Sequence, residues 1–529
     1  MTTLTGTGGL VRLILRRDRI ILPLWIVLLC AIPISYVKPY ADLFPTAESR
    51  LKYAGNAGFI TLYGELSGTS LGEFVTWRLG FVPVMVGLIS LLTVIRHTRV
   101  EEETGRSELL GSSVVGRHAG LAAALLTTFG ANLLLAVLLA LGMNSQNLPM
   151  SGSVAIGLEF ASTGCLFAAI GAVAAQLTAS AGTARGIAIS VLGAAYVLRA
   201  AGDTSDHTDG PLAWLSWLSP IAWAQRIQPY GDNRWWLGVL VLAATAVLVA
   251  VAIYLSVRRD VGAGLLPARL GPAEGNISSP LGLAWRLHRG LLVSWIAGFA
   301  VLGLLFGGVA KGVGDLMHDD PAIQEMFARL GGSAGLIDSF FAGVMTIIGL
   351  IASAYAVQAT LRLRAEETSG RAEPVLATAT SRLRWAASHL AFGLLGPALA
   401  LLASGVTAGL AYGIAVGDVG GQVPRLIGAA MVQLPAVWLL AAITIAIFGL
   451  FPRLSPVAWA GPAICILIGF TSAGVQLDEW VKDISPFSHL PQLPGGSTEA
   501  GPLITLVAIA VVLGLVGLVG LRRRDLPVG

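Results

Sequence analysis

Apolar residues run along this chain in blocks of about 20, long enough for a helix to cross a bilayer, with charged or Pro/Gly-rich breaks between them. Alternation of period two is absent, so helices rather than a barrel are expected. The blocks place spans near residues 20–37, 76–96, 120–142, 153–178, 184–201 and 235–257, then near 290–310, 339–361, 386–415, 426–450, 456–473 and 502–521. The predicted fold class is therefore an all-α polytopic membrane protein with about twelve transmembrane helices. A retained first span fits the N-terminus better than a cleaved leader, because no small-residue cleavage site follows Cys30.

The polar positions repeat. Residues 99–117 (RVEEETGRSELLGSSVVGR) align with residues 364–382 (RAEETSGRAEPVLATATSR), 265 positions later. The identities are Arg99/Arg364, Glu101/Glu366, Glu102/Glu367, Gly105/Gly370, Arg106/Arg371, Glu108/Glu373 and Arg117/Arg382. The same offset pairs Glu73 with Asp338 and Arg258-Arg259-Asp260 with Arg523-Arg524-Asp525, and Ser219-Pro220 meets Ser485-Pro486 after a one-residue slip. A duplication into residues 1–265 and 266–529 follows, six spans to each half. An even number of spans gives both halves the same entry direction and a pseudo-twofold axis along the membrane normal.

Charge then sets the orientation. With the N-terminus in the cytoplasm, Arg96, Arg99, Arg106, Arg117, Arg258, Arg259, Arg362, Arg364, Arg371, Arg382, Arg384 and Arg522 to Arg524 share the inner side, as the positive-inside rule requires. Both termini are then cytoplasmic. The net charge of +4 needs no nucleic-acid partner, since basic loops against an anionic leaflet account for it. A mean hydropathy of +0.76 with only 12% charged residues leaves too little polar surface for a soluble globule of this length, which makes lipid the main solvent.

Each unpaired charge at mid-bilayer costs about 2.5–3.5 kcal/mol, so the two Glu/Arg blocks must face water or protein. A topology signal needs only basic residues, whereas both copies keep three glutamates, a glycine and two arginines in register, as a docking surface would. Residues 101–116 can form a short helix with carboxylates in its first turn and leucines on one face. Residues 9–24 interleave Leu10, Leu13, Ile14 and Ile20 with arginines and suit an interfacial helix; Leu281–Arg289 repeats the pattern. The Trp- and Pro-rich stretch 214–236 and the Pro-rich stretch 485–494 fit short re-entrant helices, with an aromatic belt as the alternative account of the tryptophans. Glu159 stands alone inside the fourth span, where an ionisable group is by default a functional candidate, although a satisfied carboxylate near a helix end is the plainer expectation. Gly303 and Gly307 read as close helix packing.

Catalytic chemistry is missing. A Walker A loop ends in Gly-Lys-Ser/Thr, but the lysines here are followed by Pro39, Tyr53, Gly312 and Asp483. Two G-x-S-x-G strings, at residues 68–72 and 331–335, lack the strand-to-helix turn of a nucleophile elbow. No H-E-x-x-H or paired-cysteine spacing indicates a metal, and Cys30, Cys165 and Cys465 all lie in apolar spans.

The repeated E-E-x-x-G-R-x-E block with its following arginine, the Ser-Pro element before the last span of each half and the fused six-plus-six layout resemble ABC-2-type permeases of the polyketide-antibiotic and multidrug exporter family. That resemblance covers essentially the whole chain. It implies interfacial elbow helices and two cytoplasmic coupling helices, formed by Glu101, Glu102, Gly105, Arg106, Glu108 and Arg117 and by Glu366, Glu367, Gly370, Arg371, Glu373 and Arg382. It also implies two copies of a separate ATP-binding subunit that carry the ATP and magnesium, with no cofactor in this chain. The cargo would be amphipathic drugs or antibiotics expelled across a bacterial plasma membrane, passing residues of the second and fifth spans that include Phe81, Met85, Tyr196, Phe340, Phe341 and Met345. Thr368 in place of Glu103, and Pro374 in place of Leu109, would make the two docking sites inequivalent. The alternative is a proton-coupled secondary multidrug transporter with two parallel six-span halves.

Overall fold

The computed structural model describes residues 3–55, 60, 63–111, 114–207, 210–266, 275, 277–318, 332–472, 478–497 and 500–525. These residues are helical with no strand among them, and eleven helices are long and apolar enough to cross a membrane. The chain divides into two compact units, Met1–Gly271 and Pro272–Gly529.

In the first unit, an amphipathic helix Thr7–Arg17 ends at Asp18 and turns into the spanning helix Ile21–Leu43. The buried Asp18 carboxylate explains the break: it takes the His97 ring at 2.6 Å and Arg96 at 3.1 Å, fixing the turn against the end of the next span. The predicted span at 76–96 is divided. A short helix Leu71–Arg78, started by a reciprocal Ser70/Glu73 capping box, gives way to Val82–His97 with Pro83 in its first turn. Ala119–Asn144, Met150–Leu177, Ala181–His207 and Trp235–Val257 complete the bundle. Met150–Leu177 is the central helix: its Gly157 and Gly171 lie so near the backbones at Ala136 and Leu91 that a Cβ would stand 2.6 and 2.9 Å from their carbonyl oxygens. Leu135, Leu139, Val86, Ile156 and Phe160 form the core between these helices.

In the second unit, Pro280–His318 is a single continuous helix, so the segment Leu281–Arg289 does not form a separate interfacial piece. Leu283 occupies the position 265 after Asp18, and an aliphatic side chain has no means of capping a break there. This helix packs on Arg382–Val416 through small residues, as expected for Gly303 and Gly307: added Cβ atoms would collide with the carbonyl oxygens of Ser404 and Ala408. Gly332–Thr360 carries Phe341 and Met345 into the core, where Phe341 meets Tyr412 edge-on. Leu434–Leu450 and Ala500–Arg523 meet where Gly449 and Gly517 cross. The span expected at 456–473 is not one uniform α-helix among the described residues: Pro452–Trp459 is a 3₁₀ segment containing Pro456, followed directly by the 13-residue helix Ala460–Ser472. Eleven described spans thus stand where about twelve were expected. Ser219 and Ser485 each precede a proline that opens a short helix, Pro220–Gln225 and the 3₁₀ turn Pro486–His489.

Candidate functional site

The repeated Glu/Arg blocks fold alike. After the second span of the first unit, Arg99–Glu103 and Arg106–Gly111 are two short helices joined at Gly105; in the second unit Arg362–Thr368 and Ala372–Leu376 are joined near Gly370. Gly105 and Gly370 have φ of +72° and +70° with open space around each absent Cβ. The left-handed backbone, not crowding, requires glycine at both joints.

Ion pairing repeats with the same offset. Glu102 accepts two hydrogen bonds from Arg259, at 2.6 and 2.7 Å, and Glu367 accepts two from Arg524, also at 2.6 and 2.7 Å. Both arginines sit just past the last helix of their unit, so each is a two-pronged tie between the loop and that helix end. Arg524 also lies over the Phe448 ring at 4.7 Å. In the first unit Arg99 reinforces the tie by donating to Glu102 and to the carbonyls of Gly262 and Ala263. Glu101 pairs with Arg17 of the amphipathic helix and with Arg106; Glu366 pairs with Arg362 and Arg371. The two following arginines serve the same helix ends: Arg117 donates to the carbonyl of Val257 at 2.8 Å, and Arg382 to that of Arg524 at 2.6 Å. Such donors satisfy the orphan carbonyls of a helix C-terminus.

Of the predicted loop residues, Glu101, Glu102, Glu366 and Glu367 therefore turn inward to partners in their own unit. Arg106 and Glu108 in the first unit, where Leu109 is 77% exposed, and Arg371 and Glu373 in the second remain exposed. Glu103, whose counterpart is Thr368, acts differently, because its carboxylate accepts the backbone N–H of Ala181 and caps the helix Ala181–His207. A 490 Å³ cleft lies between the amphipathic helix and the loop, lined by Leu10, Leu13, Ile14 and Arg17 on one side and Glu101 and Glu102 on the other. Gly116 closes it, since a Cβ there would collide with the Thr3 carbonyl oxygen. Sequence reasoning had the signal for Arg259 and Arg524 in the duplicated Arg-Arg-Asp string but not the partner that each engages.

The expected pathway residues fall into two groups. Phe81 is partly exposed and meets Tyr196 edge-on at 5.8 Å between centroids, with Met85 half-buried on the same helix. Phe341 and Met345 are fully buried in the core of the second unit, and Phe340 packs against that core.

At the end of the first unit opposite its Glu/Arg loop is a second cavity, of about 260 Å³, walled by Tyr63, Glu73, Trp77, Glu159, Asp203 and Arg226 among others. Tyr230 packs nearby, between the helices Leu71–Arg78 and Met150–Leu177. Its ring fills the space that Cβ atoms at Gly72 and Gly152 would need, it bonds Ser153 at 3.0 Å, and burial pushes its phenol up to about 12. Glu159 is not the satisfied carboxylate expected: its Oε2 is buried with no hydrogen-bond partner among the described residues.

Long apolar helices bundled with most of their charged groups at the ends define a multi-pass membrane protein, and comparison with known proteins narrows the class to a transport permease. Residues 277–522 match the family described as the C-terminal domain of the multidrug efflux system permease Rv1217c. Over 534 aligned residues the chain is 45% identical to the multidrug efflux system permease protein Rv1217c of Mycobacterium tuberculosis (strain ATCC 25618 / H37Rv), covering 98% of this chain and 95% of that relative. The chain belongs to this family of ABC-2-type multidrug efflux permeases.

Proposed function

We propose that the chain is the membrane subunit of an ATP-driven exporter, in a bacterial plasma membrane with both termini cytoplasmic, and that two copies of a separate ATP-binding subunit dock on its two Glu/Arg loops. ATP and magnesium belong to those partners. The observation that carries the reading is the paired tie, Glu102 to Arg259 and Glu367 to Arg524, made with the same geometry 265 residues apart. Loops that served only to fix topology would have no need to be fastened to the last helix of their unit, whereas loops that receive a push would. The exposed face of each loop, with Arg106 and Glu108 in one unit and Arg371 and Glu373 in the other, supplies the contact with the motor. Glu101, through Arg17, passes displacement to the amphipathic helix. The cargo, by the name of the family, is drug-like, and Phe81, Met85, Tyr196, Phe340, Phe341 and Met345 are proposed to border its route. The buried Phe341 and Met345 would do so only after the second unit rearranges.

Reversing the exposed charges tests this. With the partner ATPase co-expressed, Arg106→Glu together with Arg371→Glu is expected to abolish drug-stimulated ATP hydrolysis and to reduce co-purification of the ATPase, while membrane insertion is retained. Hydrolysis and co-purification at wild-type levels would remove the docking role. A proton-coupled mechanism draws on one specific observation, the buried carboxylate of Glu159, and would be favoured by transport that collapses with the proton gradient but survives ATP depletion.

A further inference from the structure

The cavity opposite the loop of the first unit has a composition that docking of a motor does not require. Its lining carries Glu65, Glu73, Glu159, Asp203 and Asp206 against only Arg226 and Arg234. Most of these charges have duties. Glu73 closes the capping box with Ser70. Asp203 lies 3.5 Å from Arg199 and 3.7 Å from Arg226, which also donates to Ser216 and covers the Trp217 ring. Arg234 pairs with Asp232. Glu65 and Asp206 are exposed at the mouth.

Glu159 is different. It is 2% exposed, it lines the cavity from the middle of a spanning helix, and its Oε2 has no partner among the described residues. Several donors near it are committed elsewhere: Ser162 and Thr163 give their hydroxyl protons to the backbone carbonyl of Glu159, Trp77 gives its indole N–H to Gly64, and Gln225 its amide to Gly80. Thr76 donates to the Gly72 carbonyl. A buried carboxyl group with an unpartnered oxygen is costly in its ionised form, and inside a spanning helix it is by default a functional candidate.

We propose that this cavity is a binding site for one bulky organic cation, with Glu159 as its counter-ion and Tyr63 and Trp77 as its aromatic wall. A weakly hydrated cation gains from aromatic faces and from an unshielded carboxylate in a dry site, where a strongly hydrated ion would have to lose its water. A metal ion fits poorly, because no group of three or more His, Cys, Asp or Glu side chains among the described residues converges to hold one. The volume, about 260 Å³, exceeds by far that of a water or a bare ion and approaches that of a small-ligand pocket. Position 424, which follows Glu159 by 265, is a proline within the helix Val419–Met431, so the second unit has no carboxylate at the equivalent position.

This inference rests on the export reading for what the cation is, a cargo, but not for whether it binds. The test uses the full chain in zwitterionic nanodiscs with no ATPase present, and tetraphenylphosphonium as probe, by equilibrium dialysis with empty nanodiscs subtracted. The expected result is one saturable site per chain, weakened at least tenfold by Glu159→Gln and by Glu159→Leu, and unaffected by millimolar sodium or calcium. Both variants should melt at or above the wild-type temperature, since each removes a buried carboxyl group with an unpartnered oxygen. Four results overturn the proposal: no saturable site, unchanged affinity in both variants, displacement by the inorganic ions, or a lowered melting temperature in both, which would make Glu159 a structural group. Because no ATP is hydrolysed, failure here leaves the docking of a motor untouched, and failure of docking leaves this site standing.

Discussion

At the scale of the residue, most of the inner carboxylates have partners and one buried carboxylate does not. Glu102 and Glu367 are largely withdrawn from water, with side-chain exposures of 16% and 5%, and each is matched by an arginine fork. Removing one member of a buried pair leaves an uncompensated charge and costs about 3–5 kcal/mol, whereas removing both costs much less. Arg524→Met should therefore destabilise the chain by about 3 kcal/mol, toward the lower end because water still reaches part of the site, and Arg259→Met by less, because Arg99 still pairs with Glu102. Glu367→Met with Arg524→Met should recover most of that loss in thermal unfolding of the purified protein, whereas Glu102→Met with Arg259→Met should not, because it leaves the buried Arg99 without its carboxylate. Losses that simply add at Glu367 and Arg524 would mean that this pair does not act as a unit. The sequence exposed the glutamates and both Arg-Arg-Asp strings as repeats, but joining them needed the fold, since members of a pair lie 157 residues apart. Glu159 was visible too. Ser162 and Thr163, three and four residues on, look in sequence like natural partners for it, yet a helix gives such hydroxyls a nearer acceptor in its own backbone, and they take it.

Secondary-structure elements were legible wherever an apolar run was long and its ends were charged, as in Ala119–Asn144 or Trp235–Val257. They were less so where a proline or a buried acid changes the helix part-way. The division before Val82, the 3₁₀ stretch at Pro452–Trp459 and the break at Asp18 all arise from such local features, which a window of average hydropathy smooths away. Close packing of helices through glycine is the other element-scale feature, and it yields a contrast within one helix. Gly307 faces the Ala408 backbone, while Gly308, its neighbour, has open space. Gly307→Leu should force Pro280–His318 away from Arg382–Val416 and lower the melting temperature sharply, an overpacking cost of about 1–3 kcal/mol or more. Gly308→Leu should leave it near wild type. Equal effects would show that the two helices do not meet along this face.

For the whole molecule, the family relationship and the eleven spanning helices among the described residues make the chain a multidrug efflux permease, and the paired loops are where the proposed motor would act. Nothing in its sequence provides a phosphate-binding loop, and each loop joins a span to the end of its unit's last helix through a rigid ion pair, so a push on the loop is a push on the bundle. That claim is tested most directly by transport into sealed proteoliposomes containing the permease alone or the permease with its ATPase subunit. Drug accumulation that requires both the second subunit and hydrolysable ATP is the result predicted; accumulation by the permease alone, driven by a proton gradient, would contradict it.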